Sequence, residues 1–285
     1  MIELKNKKIG LVLSGGGAKG AYQVGMFRAL EELGLAGNIT AMSGCSIGAY
    51  AAVIYAIRGN DAYRDFLYDF PSMLEEGNCL PEEITEASKQ AVAAGEVSKK
   101  QFLEERRFWK YEALGLRRYI DALVSAGALE RTGIRVNVCA YSLEQEKPVY
   151  FDLNALSDRE KSAAIIGSGS LQYLFKPSAV RGEHFLDGGI IPEICTSPAP
   201  ADKIPLKPLA EEETDFVLIN FLIARDTVDL GLMPKGRDFL ELRPSVPLEE
   251  YPGAGTLDFS PGKLKSHEEK GYRDTMDLLQ ANCIF

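Results

Sequence analysis

Gly44-Cys45-Ser46-Ile47-Gly48 sets a serine between two glycines at a point where a strand turns into a helix. The preceding run, Ile39-Thr40-Ala41-Met42-Ser43, is short, apolar and bounded by turn residues, and reads as a buried strand. The following run, Ala49 to Ile57, is alanine-rich and reads as a helix. A G-x-S-x-G in that context has the form of a nucleophile elbow. Its turn is so sharp that the residues two before and two after the serine pass close together, which demands glycine at 44 and 48. The Ser46 hydroxyl is left at a helix N-terminus, where amide groups and the dipole favour developing negative charge. Taken alone, the pentapeptide equally fits an ordinary strand-to-helix turn made of small residues.

Upstream, Ile9–Leu13 reads as a first strand, followed by Gly15-Gly16-Gly17-Ala18-Lys19-Gly20 and a helix from Ala21 to Leu33. A glycine loop between strand and helix offers backbone N–H groups to an anion. Gly15, Gly17 and Gly20 match the dinucleotide pattern G-x-G-x-x-G. That reading expects an acidic residue at the end of the second strand, where Ala41-Met42-Ser43 stands instead. A phosphate-binding P-loop needs G-K-[ST], but Lys19 precedes Gly20-Ala21. The remaining functional reading is an oxyanion hole facing the serine turn.

Downstream, residues 60 to 131 become charged and helical, with breaks expected at Pro71 and Pro81, and read as a helical insertion. Ile134–Tyr141 and Pro148–Phe151 suggest paired strands. Asp158–Ile166 reads as a helix, and His184–Asp187 as a strand end running into Gly188-Gly189. Asp215–Ile223 reads as a central strand, 226–261 as loop, and Lys263–Gln280 as a closing helix. Asp187-Gly188-Gly189 alone would be a surface turn.

At 285 residues and 46% hydrophobic content, the chain is long enough for one α/β domain over 1–285. No apolar run approaches the roughly 20 residues of a membrane span, and the charged N-terminus is unlike a signal peptide. Five scattered cysteines without C-x-x-C fit a reducing, cytoplasmic compartment. Two histidines, His184 and His267, and no clustered ligand pattern argue against a metal site. A net charge of −9 argues against nucleic acid as a partner.

In that order, Gly15-Gly16-Gly17-x-Lys19-Gly20, Gly44-x-Ser46-x-Gly48 and Asp187-Gly188-Gly189 resemble the patatin-like phospholipase family. The strand pair around Val136–Phe151 and the ending from Asp258 through Tyr272 resemble its core and tail. The resemblance implies a three-layer α/β/α scaffold with a mostly parallel central sheet. It implies lipid acyl hydrolysis by a Ser-Asp dyad of Ser46 and Asp187, with no cofactor and no metal. Gly16, Gly17 and Ile47 would give the oxyanion amides, and Lys19 stands where the family carries arginine or lysine. The expected substrate is a phospholipid or other lipid ester, with peripheral membrane contact as a further expectation and no oligomeric state implied. A weakly hydrolytic lipid-binding or acyl-transfer protein is the rival on the same scaffold, and a nucleotide-binding protein the more distant one.

The histidine count also favours a dyad. His184 should face away from Asp187 on its strand, and His267 lies in the polar start of the last helix. Without a histidine, Asp187 itself must accept the serine proton, which requires an apolar setting that raises its pKa. Cys45 should point into the core. The chain departs from the family in carrying Gly167-Ser168-Gly169-Ser170 where a serine-proline stretch is usual, and Ile190-Ile191-Pro192 where asparagine-proline is common. Lys99–Tyr119 carries seven Lys/Arg against three Glu. Phe102, Trp109, Ala113, Leu116 and Ile120 would form one helical stripe there, either packed on the core or serving as an interfacial lid.

Overall fold

The computed structural model describes residues 1–285. In chain order the strands are β1 (Ile2–Glu3), β2 (Ile9–Leu13), β3 (Ile39–Cys45), β4 (Arg135–Ser142), β5 (Lys147–Asp152), β6 (Ser178–Val180), β7 (Glu183–Asp187), β8 (Phe216–Asn220), β9 (Asp238–Leu242) and β10 (Cys283–Ile284). The helices are α1 (Ala21–Glu32), α2 (Ile47–Glu75), α3 (Glu82–Ala93), α4 (Lys99–Glu104), α5 (Leu114–Val124), α6 (Asp158–Ser168), α7 (Leu206–Ala210) and α8 (Pro261–Asn282).

One mostly parallel sheet runs β6-β7-β4-β3-β2-β8-β9, with β5 also paired to β4. The ladders β4-β3, β3-β2, β2-β8 and β8-β9 are parallel. β2 and β8 are buried along their whole length, because both faces of the sheet are covered. Leu11, Leu13, Met42 and Leu218 point into a large core under α1, α2, α5, α6 and α8. Val12, Ala41, Val217 and Ile219 alternate to the other face, against Ile204, Leu206 and Leu209 around α7. The result is a three-layer α/β/α sandwich whose second helical layer is thin.

Several expectations change. β8 is next to the edge rather than central, because Asp238-Phe-Leu-Glu-Leu242, expected as loop, adds the parallel edge strand β9. Pro71 does not end a helix. α2 continues through it to Glu75, and the break falls at Gly59, whose φ of 79° no helix accommodates. Pro81 does mark a boundary, as the N-cap of α3. Lys99–Tyr119 is not one helix: α4, a 3₁₀ turn at Arg106–Phe108 and the start of α5 divide it. Phe102, Phe108 and Trp109 instead pack with Leu143, Tyr173 and Ile194 in a separate small cluster. Trp109 is only 5% exposed, so it presents no lid face.

Candidate active site

The sheet register brings the serine turn and Asp187 together. On one edge of β4, Cys139 pairs with Cys45, the last residue of β3, while the next residue, Ala140, pairs with Asp187, the last residue of β7. β3 and β7 thus approach β4 from opposite directions and stop at neighbouring positions. Ser46, one residue past β3, and the Asp187 carboxyl meet at that junction.

Ser46 has φ 55° and ψ −127°, a strained conformation for a residue with a side chain, and caps the N-terminus of α2. The glycine requirement is steric. A Cβ on Gly44 would lie 2.2 Å from the Gly48 carbonyl oxygen, and one on Gly48 would lie 2.1 Å from that of Leu13. The Ser46 N–H donates to the Ser168 hydroxyl at 3.0 Å, and that hydroxyl donates to the Cys139 carbonyl. Ser168, from the Gly-Ser-Gly-Ser run, therefore ties the elbow to β4. Its only signal in the sequence was a run of small residues at a helix end.

Asp187 is buried. Its Oδ1 accepts the Gly189 N–H at 2.8 Å, and its own N–H donates to the Ser170 carbonyl. Its Oδ2 has no partner of ordinary hydrogen-bond geometry. Burial pushes the Asp187 carboxyl up to about 6, with the neighbouring Ser46 hydroxyl, the Gly189 amide and Lys203 pulling it down. Gly188 sits against β4, its carbonyl accepting the Asp202 N–H at 2.9 Å.

The glycine loop is held at both ends and open in the middle. The Gly15 N–H donates to the Lys203 carbonyl and the Ala18 N–H to that of Thr256, at 3.0 and 2.8 Å. A Cβ on Gly15 would lie 3.1 Å from the Ser46 Cβ, so the loop passes beside the serine. The amides of Gly16, Gly17 and Ile47 find no acceptor within the chain. Unpaired amides beside a hydroxyl are what an oxyanion would use.

Lys19 is an anchor for this loop. Its buried ammonium donates to the Ala254 carbonyl and the Thr256 hydroxyl at 2.9 and 3.0 Å, and lies 3.5 Å from Glu249, which Arg225 also pairs. Beneath, Gln23 donates to the Ser14 carbonyl and to Asn220, while Tyr63 donates to Gln23 and to the Gly20 carbonyl. The 248–258 segment and this buried network were not legible from the sequence, because their residues lie far apart along the chain.

The histidines are engaged elsewhere. His184 pairs with Glu144 at 2.7 Å on the far half of β7. His267, in the polar start of α8, is buried, and burial lowers its pKa to about 4. Cys45 is buried, and burial raises its thiol well above the usual range. No group of His, Cys, Asp and Glu is arranged to hold a metal ion.

Residues 11–200 match the family model described as Patatin-like phospholipase. The chain belongs to that family. It is a family of lipid ester hydrolases, and the three glycine-containing motifs are the positions on which the earlier resemblance rested. A 53-residue stretch is 51% identical to "Lysophospholipase NTE1" of Cryptococcus neoformans, covering 19% of this chain and 3% of that protein. The chain thus spans a very small part of the curated relatives it matches. Among solved structures it is similar to VipD from Legionella pneumophila, with TM-score 0.48 and 16% identity over 96% of this chain and 67% of that one. It is also similar to a human GIVD cytosolic phospholipase A2, with TM-score 0.40 and 13% identity over 95% of this chain and 56% of the other.

Proposed function

We propose that this member of the patatin-like phospholipase family hydrolyses lipid acyl esters through an acyl-Ser46 intermediate, with Asp187 as the sole general base. The observation that carries this reading is the buried Asp187 carboxylate, with one oxygen unpartnered and a pKa near 6, at the mouth of a strained serine turn. Asp187 takes the Ser46 proton as Oγ attacks the ester carbonyl. The amides of Gly16, Gly17 and Ile47 receive the oxyanion, aided by the N-terminus of α2. Protonated Asp187 then gives its proton to the departing alcohol. A water, deprotonated by Asp187, attacks the acyl-serine; as the Oγ–acyl bond breaks, Asp187 returns the proton to Ser46 Oγ and the fatty acid is released.

Glycerophospholipids and their single-chain lyso forms are the substrates we assign. Residues 1–285 act as one domain in this reading, with 60–131 as its helical insertion. No helix is long and apolar enough to cross a membrane. Contact with a lipid surface would fall to exposed Leu114, Ile190 and Ile191 rather than to buried Trp109. The test is rapid quenching with a lysophospholipid followed by mass spectrometry of the peptide holding Ser46. An added acyl mass on Ser46, absent in Ser46→Ala, is expected. Full hydrolysis by Ser46→Ala would reject the mechanism.

A further inference from the structure

One cavity adjoins the site, a second lies beyond it, and Arg117 and Lys176 line both. The first, about 520 Å³, is within the size range of small-molecule sites and is lined by Tyr50, Trp109, Leu116, Ile166 and Phe175, and also by Arg106 and Glu112. It abuts the Ser46–Asp187 junction through Tyr50, one turn along α2 from Ser46, and through Gly169 and Ser170, whose neighbours Ser168 and Asp187 belong to the junction. The second, about 770 Å³, is polar and lined by Arg159, Arg181, Glu160, Asp121 and three serines.

Neither Arg117 nor Lys176 has a carboxylate within ion-pair reach, although the chain carries a net charge of −9. Lys176 instead sits over the Trp109 ring, 5.0 Å from its centre. Trp109 is almost wholly buried, yet its indole N–H has no hydrogen-bond partner, and neither does one Nη of Arg106. Buried indole N–H groups ordinarily find an acceptor. Tyr50 lines the first cavity together with Arg117, and its ring and hydroxyl lie against Gly169. A mainly apolar cavity, two cations without carboxylate partners at its boundary and a polar cavity beyond match an amphiphile with one anionic group.

We propose that Arg117 and Lys176, with Trp109 beside them, form a subsite for the phosphate of a single-chain phospho-amphiphile. The subsite makes the enzyme prefer phosphate-bearing lipids to neutral glycerides. It rests on the reading of Ser46 and Asp187 as a lipid hydrolase for its purpose, though not for its binding. Both cations are exposed, so replacing them leaves the packing intact.

Trp109 is the chain's one tryptophan, so its fluorescence reports occupancy without turnover. The probes are an alkyl-ether lysophosphatidylglycerol, which carries no ester to cleave, the matching phosphate-free alkylglycerol, and inorganic phosphate, all below micellar concentrations. Wild type should bind the ether lysolipid at least about tenfold more tightly than the alkylglycerol, and R117Q/K176Q should lose that preference, each charge-assisted contact being worth about tenfold. Equal affinity of wild type for both lipids, an unchanged preference in the double variant, or binding of inorganic phosphate as tight as that of the lysolipid would each overturn the subsite. A preference that collapses as expected in a protein whose Ser46 never acylates would uphold the subsite and reject the hydrolase reading.

Discussion

The sheet ends around β3, β4 and β7 and the helical region 60–131 obey different constraints. At the sheet ends, backbone passes backbone: Gly44 and Gly48 sit where any Cβ would strike a carbonyl, and the register of β4 sets where Ser46 and Asp187 meet. In the helical region the constraint is side-chain packing. Phe102, Phe108 and Trp109 fill a small cluster with Leu143 and Tyr173, which other apolar combinations could also fill. The first kind of constraint builds the chemistry. The second shapes the cavity that Trp109 lines.

Four substitutions test that contrast, from the largest expected effect downward. Gly48→Ala drives a Cβ into the Leu13 carbonyl at 2.1 Å, so little folded protein should be recovered, and a denaturation midpoint within error of wild type would break the steric argument. Phe102→Ala empties a fully buried ring site and should cost about 3–5 kcal/mol in urea denaturation. Its fluorophosphonate labelling of Ser46 should nevertheless stay within about threefold of wild type; a collapse of labelling in folded protein would mean the two regions are coupled.

Asp187→Asn works in the opposite sense on stability. The folded carboxyl, near 6, sits above its unfolded value of about 3.9, so the fold is favoured when Asp187 is protonated, and that contribution is lost as pH rises through 6. At pH 8 the ionised group costs on the order of 2–3 kcal/mol. The asparagine variant should be more stable than wild type by up to that amount at pH 8, with the gap shrinking toward pH 4. A gap independent of pH would show that burial does not raise this carboxyl. Ser46→Gly should give the smallest gain, about 1 kcal/mol, by relieving the strained φ and ψ, and it should exceed the effect of Ser46→Ala. Equal stabilities of the glycine and alanine variants would remove strain from the account.

The same contrast explains what could be read from the sequence. The elbow glycines, β2, β3, the β4–β5 pair and Asp187 at the end of β7 were legible because each carries a local signature, a sharp turn or a buried run. β9 was hidden because five residues following a Gly/Pro-rich stretch carry too little pattern. The 99–119 segment misled because apolar residues at helical spacing also arise when a short helix, a 3₁₀ turn and a second helix share one core. Lys19, Thr256 and Glu249, and likewise Ser168 with Cys139, act through contacts between distant segments, which periodicity does not encode.

The most direct measurement is the second-order rate of fluorophosphonate labelling of Ser46 as a function of pH, in wild type and Asp187→Asn. Labelling in wild type should rise with pH through about 6 and level off above it, as the Asp187 carboxylate becomes free to take the proton. In Asp187→Asn the rate should fall by about 10²-fold or more and lose that inflection. A folded Asp187→Asn protein that labels at the wild-type rate, with the same pH profile, would contradict the claim that this carboxylate activates the serine.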